Sequence, residues 1–399
     1  MKRSVICMGL VIAVVLGGCS WMGGGYVSVT PHREQTAEVQ TGSLAASTYT
    51  QLRSILAELA ETGVENALIH VPEYDAAELE MDMKNGIRYI SEILPVGAYA
   101  IDKVDYEIGT SAGQPALSVS ITYLHGRSEL RQLRDAEDME DVKTIIRETL
   151  ADCDDSVVIN VHKYAEVDIV QFVADYAAEN PNVVMEIPQV AIGFYPEQGI
   201  RRVLELKFTY QTSRDVLRSM QSQVRRVFTS ASLYVNQNDA EKQKYEQLFN
   251  FLMERFNYKI ETSITPSYSL LSHGVGDGRA FANVYSAMCR SAGLDCRTVT
   301  GTRNGEAWYW NLICEEGRYY HVDLLSSSEA GELERHTDRE MDGYVWDYSA
   351  YPATDTPAQP TEATERNNPG SFKLPGFLVM HICVLRLQVE HPQIKSLRR

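Results

Sequence analysis

At 399 residues the chain is long enough for two or three domains of ordinary size rather than one core. Its 44% hydrophobic and 23% charged residues match an average globular protein and exclude a wholly disordered or collagen-like chain. With 37 Lys and Arg against 54 Asp and Glu, the formal net charge is -17, which removes the basic footprint of a nucleic-acid binder.

Lys2 and Arg3 open the chain, an apolar run follows from Val5 to Leu16, and Leu16-Gly17-Gly18-Cys19 ends it, giving the three zones of an export signal. The run is too short to span a bilayer. Leu-Gly-Gly-Cys resembles the lipobox of bacterial lipoproteins. That resemblance implies a signal peptide over 1–18, acyl chains (palmitate among them) on Cys19, and a location at the cell membrane or in the cell envelope, outside the cytoplasm. The membrane, reached through Cys19, is then the first expected partner. Residues 19–47, small and polar without sustained period, read as a linker.

Export permits disulfides. Of seven cysteines, Cys7 leaves with the signal and Cys19 takes lipid, so Cys153, Cys289, Cys296, Cys314 and Cys383 remain. An odd set does not suggest a bridged scaffold, and no Cys-x-x-Cys or Cys/His spacing suggests zinc. These thiols are expected to be small buried hydrophobes, with no cofactor and no metal.

Leu52, Ile55, Leu56 and Leu59, spaced three and four apart, predict a helix over 49–62. An internal similarity follows. Ala67-Leu-Ile-His-Val71 before Tyr74 matches Val157-Val-Ile-Asn-Val161 before Tyr164, ninety residues on. Each run leads into a helix, over 75–94 and 166–179, and then into two strands, over 98–108 and 116–124 in one copy and 183–194 and 202–210 in the other. The closing strands match as Ile121-Thr-Tyr123 and Phe208-Thr-Tyr210, each followed by Arg, Leu and Arg at equal spacing. The reading is two tandem strand-helix-strand-strand units over 48–150 and 151–225. Neither carries a phosphate loop or a His/Asp/Glu cluster, so they are expected to bind or to space.

Downstream, Tyr245, Leu248, Phe249, Leu252 and Phe256 give a helix over 239–258, with Asn238 or Asp239 as N-cap. Ser, Thr and Pro over 262–273 suggest a loop. A second helix is expected over 276–291, ended by Gly293. Strands follow over 296–302, 306–314 and 318–324, joined by Asn304-Gly305 and Glu315-Glu316-Gly317 turns.

The residues of this stretch resemble the bacterial transglutaminase-like family of papain-like fold. Gly274-Val-Gly-Asp-Gly-Arg-Ala280 is similar to its Gly-Val-Cys-x-Gly-Tyr-Ala helix start, and Gly293-Leu-Asp-Cys-Arg-Thr-Val-Thr-Gly301 to its Gly-Ile-Pro-x-Arg-x-Val-x-Gly strand. Trp310-Asn311 and Gly317-Arg-Tyr-Tyr-His-Val-Asp323 are similar to its His-Ala-Trp-Asn hairpin and Gly-x-Trp-Tyr-x-Val-Asp strand. The fold class so implied is α+β, with a C-terminal transglutaminase-like domain over 235–355 behind the two units. The tail, 356–399, is Pro/Thr/Glu-rich at first and is expected to be disordered or weakly ordered.

The resemblance implies a triad: a cysteine thiolate favoured by the helix dipole, a histidine base on the hairpin and an aspartate that orients the imidazole. Here the nucleophile's position holds Gly276. The histidine's position falls on Trp308, or on Glu306 if the hairpin carries two extra residues, and only Asp323 is kept. Cys289, about 20 Å along the helix from its start, cannot replace the thiol, and Cys296 reads as core. His273 and His321 read as solvated and structural, and Asp277 as a helix-favouring acid rather than half of a carboxylate pair with Asp323. Glu306, Trp308 and Trp310, two apart on a strand, share a face. With Gly276, Asp277 and Asp323 they make a candidate cleft. The expected function is a lipoprotein with a degenerate, inactive domain that binds an envelope peptide, protein or glycan or serves as scaffold. The alternative is a hydrolase or transferase of peptide or amide substrates with a non-standard catalytic set.

Overall fold

The computed structural model describes residues 44–260 and 265–354, so Cys19, the 1–18 signal, most of the 19–47 linker, Cys383 and the 356–399 tail lie outside the described residues. The chain divides into two compact units between Gln132 and Leu133.

The first unit contains β1 (Leu44–Ala45), α1 (Tyr49–Thr62), β2 (Asn66–His70), α2 (Ala76–Arg88), α3 (Pro95–Ala100), β3 (Ile101–Ser111), β4 (Gln114–Tyr123) and the one-turn α4 (Arg127–Leu130). Its sheet has the order β1-β2-β4-β3, with β1 parallel to β2 and the other pairs antiparallel. Thr48 caps α1 by accepting the Gln51 N–H, and Gly63, at φ 67°, ends it. Leu52, Leu56 and Leu59, on one face of α1, join Ile69, Leu117 and Val119 of the sheet in one core.

The second unit opens with the same pattern: β5 (Arg134–Ala136), α5 (Met139–Ala151), β6 (Ser156–Val161), α6 (Ile169–Glu179), β7 (Gln189–Tyr195) and β8 (Arg202–Thr209). The sheet order, β5-β6-β8-β7, and the strand senses repeat those of the first. Leu44 pairs with Ile69 as Arg134 pairs with Ile159. Each copy holds the strand-helix-strand-strand core expected from sequence, extended at its front by a short parallel strand and a helix. The seam therefore lies at 132/133, not at 150, because β5 and α5 build the second sheet and its core. Strands of two or three residues are too short for alternation to reveal them. The strand expected from 98 starts at Ile101, because Pro95 opens α3.

The rest of this unit is α7 (Arg214–Tyr234), α8 (Glu241–Arg255), β9 (Asn257–Tyr258), α9 (Pro266–His273), β10 (Val275–Gly276), α10 (Gly278–Ser291), β11 (Cys296–Arg303), β12 (Glu306–Glu315), β13 (Arg318–Val322), α11 (Leu324–Ala330) and β14 (Tyr344–Trp346). The sheet β13-β12-β11-β14 is antiparallel throughout. Its hairpin turns use left-handed backbone at Asn304-Gly305 and Glu316-Gly317. Two elements depart from expectation. The 262–273 loop contains α9, opened by Pro266 and ended by Gly274 at φ 76°. The 21-residue α7, missed in the sequence, carries a readable stripe of Leu217, Met220, Val224, Phe228 and Ala231. That stripe joins Phe249, Leu270, Phe281 and Ile313 in a single core, so the second sheet's module and the domain that follows share their packing.

Tyr123 and Tyr210 occupy matched places in the two copies. The Tyr123 hydroxyl shares its proton between Leu59 O at 2.9 Å and Val64 O at 3.1 Å. The Tyr210 hydroxyl is buried without a hydrogen-bond partner. Tyr123→Phe should therefore destabilise its module by about 1 to 2 kcal/mol, and Tyr210→Phe should leave stability unchanged or raise it. Hydrogen exchange at the C-terminal ends of α1 and α5, read in each variant, checks this contrast.

Candidate functional site

α10 begins at Asp277, whose Oδ1 accepts the Ala280 N–H at 2.8 Å. The acid is an N-cap, and its partner is backbone rather than another carboxylate. Gly276 precedes it in β10, and its carbonyl accepts the Lys259 N–H at 2.8 Å. A Cβ added at Gly276 would lie 2.9 Å from Leu270 Cβ and 3.0 Å from Ala280 Cβ. Leu270, fully buried on α9, thus occupies the room that a side chain at 276 would need. The closest atoms to such a Cβ belong to Leu270 and Ala280, not to Trp308. Two cavities among the described residues lie elsewhere, one of about 280 Å³ beside Arg226 and Leu271 and one of about 550 Å³ beside Cys153 and Lys207.

Asp323 sits in a closed hydrogen-bond cluster. Asp323 is 3% exposed. Its Oδ1 accepts the Leu325 and Ser326 N–H groups at 3.1 and 3.3 Å, capping α11. Its Oδ2 accepts the Trp308 Nε1–H at 2.7 Å, the Tyr344 hydroxyl at 2.6 Å and the Ser326 hydroxyl at 3.2 Å. The Arg303 guanidinium stands 3.5 Å from the same oxygen and lies over the rings of Trp308 and Tyr344. Burial first, and then the bond to Asp323, raise the Tyr344 pKa, so Tyr344 keeps its proton and donates it.

Trp308 meets Asp323 through a ring N–H, the contact an orienting aspartate makes with imidazole. Indole is a donor only, however, and offers no lone pair to a reacting proton. Trp310 is fully buried and donates Nε1–H to His321 Nδ1 at 2.9 Å. Because Nδ1 must accept, the His321 proton is assigned to Nε2, which faces Asp338 Oδ1 at 2.9 Å. Trp310 and Asp323 are therefore structural members rather than cleft-lining groups. Trp308 and Trp310 pack against the same small core, while Tyr309, between them, lies under Arg279 beside α10. Glu306 is exposed at the start of β12, opposite Arg303. His273 ends α9, edge-on to Tyr268, and Cys289 and Cys296 are both buried. Leu270, Arg303, Tyr344 and the His321–Asp338 pair were not foreseen. Among the described residues no group of three or more His, Cys, Asp or Glu could hold a metal.

Residues 229–324 match the transglutaminase-like superfamily, and this part of the chain is a transglutaminase-like domain. Similar solved structures include a TGase at 10% identity (TM-score 0.24), covering 54% of this chain and 63% of that one. A proposed cysteine protease from Cytophaga hutchinsonii is 13% identical (TM-score 0.24; 37% and 65% covered), and a proposed protease from Parabacteroides distasonis 9% identical (TM-score 0.20; 64% and 39%). The chain thus spans under two thirds of the length of each. No curated protein matches it.

Two outcomes are expected from this geometry. Gly276→Cys should destabilise the domain by about 1 to 3 kcal/mol through overpacking against Leu270. Its thiol should alkylate slowly with iodoacetamide and faster once Leu270→Ala is added; equal rates would show that Leu270 does not close the position. The second concerns His321, whose pKa is pushed below the ordinary 6.5, chiefly by burial and further by His336, with Asp338 opposing. The unfolded chain then binds the proton more readily, so stability should fall as pH drops below about 6.5 and level off beneath the folded-state value. Urea midpoints between pH 7.5 and 5 should decline in the parent protein and decline less in His321→Gln.

Proposed function

We propose that the protein is a lipid-anchored extracytoplasmic lipoprotein whose transglutaminase-like domain carries out no acyl transfer and serves as a scaffold or binding module for envelope peptide, protein or glycan. The observation that carries this reading is the Asp323 carboxylate. Both its oxygens are occupied by donors from Trp308, Tyr344, Ser326 and the α11 backbone, and none of these can take a proton from a nucleophile. Leu270 against Gly276 supports it from the other end of the site, because a groove without room for a thiol has little for a scissile amide. The -17 formal charge of the chain argues against a polyanionic ligand. Anchoring rests on the Leu16-Gly17-Gly18-Cys19 segment, and no described helix is long and apolar enough to cross a membrane. Scaffold is favoured over groove binding, since Trp308 is tied to Asp323 and Trp310 to His321.

Two measurements test this reading. Radiolabelled palmitate fed to cells making the full chain should be incorporated and the protein should sediment with membranes, and Cys19→Ser should abolish both. Purified mature protein should neither hydrolyse nor transamidate glutamine-containing peptides. Turnover that disappears on mutating a side chain of this region would replace the scaffold reading with an enzyme of non-standard catalytic set.

A further inference from the structure

Cys289 and Cys296 lie at the two ends of the turn that joins α10 to β11. Their side chains are 0% and 1% exposed and belong to one core with Tyr245 and Tyr285. Three hydrogen bonds hold the ends together: Leu294 N–H donates to Cys289 O at 3.0 Å, the Ser286 hydroxyl donates to Cys296 O at 2.7 Å, and the Tyr245 hydroxyl donates to Asp295 O at 2.7 Å. Both thiols thus sit in the same closed part of the core, with Cys296 a neighbour of Cys289. Both are free thiols in this structure.

We infer that Cys289 and Cys296 are a disulfide-forming pair, oxidised as the domain folds outside the cytoplasm. The inference rests on the export reading above. A thiolate of one cysteine attacks a disulfide-donor protein or oxidised glutathione, forming a mixed disulfide and releasing one donor sulfur as a thiol. The second cysteine, as thiolate, then displaces the other donor sulfur. One S–S bond forms and one breaks, and the donor leaves as two thiols carrying the two electrons and two protons. Burial fixes the order of events. Within the closed core no donor reaches the sulfurs, and burial holds the Cys289 thiol well above its ordinary pKa. Exchange therefore precedes closure, and the finished bond is shielded from reductants.

The sequence supplies a direct readout. Trypsin cleaves after Arg279, Arg290 and Arg297, so the bond would join peptide 280–290 to peptide 291–297. The full-length protein is recovered from the membrane fraction, denatured in N-ethylmaleimide and digested without reductant. The linked pair is expected, parting on reduction. A parallel sample, reduced, denatured and refolded in a glutathione redox buffer, separates the two ideas. Linkage there, in a chain that stays cytoplasmic and thiol-only in cells, would preserve the pairing and reject export. Alkylated free thiols in both samples, or linkage of either residue to Cys153, Cys314 or Cys383, would overturn the pairing. The oxidised protein should also show a folded-to-unfolded ratio roughly 50-fold above the reduced one, as a short closed loop gives. Cys289→Ala and Cys296→Ala should each abolish that difference, and a protein whose stability is unmoved by reductant would count against the bond.

Discussion

A buried carboxylate must have its lone pairs filled, and at Asp323 that requirement organises the whole end of the sheet. An ionised acid without partners in such a place costs several kcal/mol, enough to unfold a marginal domain. Its partners must therefore be donors. Trp308 brings an N–H from β12, Tyr344 a hydroxyl from β14, and Arg303 a cation from β11. Three strands are thereby tied to one carboxylate. Its other oxygen caps α11, a duty independent of chemistry and sufficient by itself to keep an acid at 323.

The parts of this site legible in the sequence were those with a local signature. Asn304-Gly305 marked the hairpin, alternation marked β12, and counting back from Asp323 picked out Trp308, whose indole N–H lies 2.7 Å from that carboxylate. The plug was not legible. Leu270 lies in a Ser/Thr/Pro-rich stretch that reads as loop, and its approach to Gly276 depends on α9 folding back along β10, a tertiary fact with no periodic trace. Arg303 and Tyr344 are likewise far apart in sequence and meet only because β14 pairs with β11.

Much of the fold was visible through the repeat, and the places where the copies diverge are informative. The left-handed residue after the first helix is Gly63 in one copy and Cys153 in the other. Tyr123 closes the first of these turns, and Tyr210 does not close the second. After the last strand the first copy makes one helical turn, whereas the second extends the same Arg, Leu, Arg pattern into the six-turn α7. Where a module continues into another core, an amphipathic helix can serve both, and the stripe on α7 does so.

The tryptophans of β12 act alike. Trp308 and Trp310 each present a donor-only N–H to a group that could otherwise accept a proton, the first to Asp323 Oδ2 and the second to His321 Nδ1. A general base needs a lone pair open toward its substrate. His321 has its remaining nitrogen turned to Asp338, which itself accepts the Thr354 N–H at 3.2 Å. Each acceptor in this row is thus engaged by its own strand neighbours or by the segment closing the domain. The donors that tie this end of the sheet together thus also occupy its acceptors, and both effects come from two tryptophans on one strand.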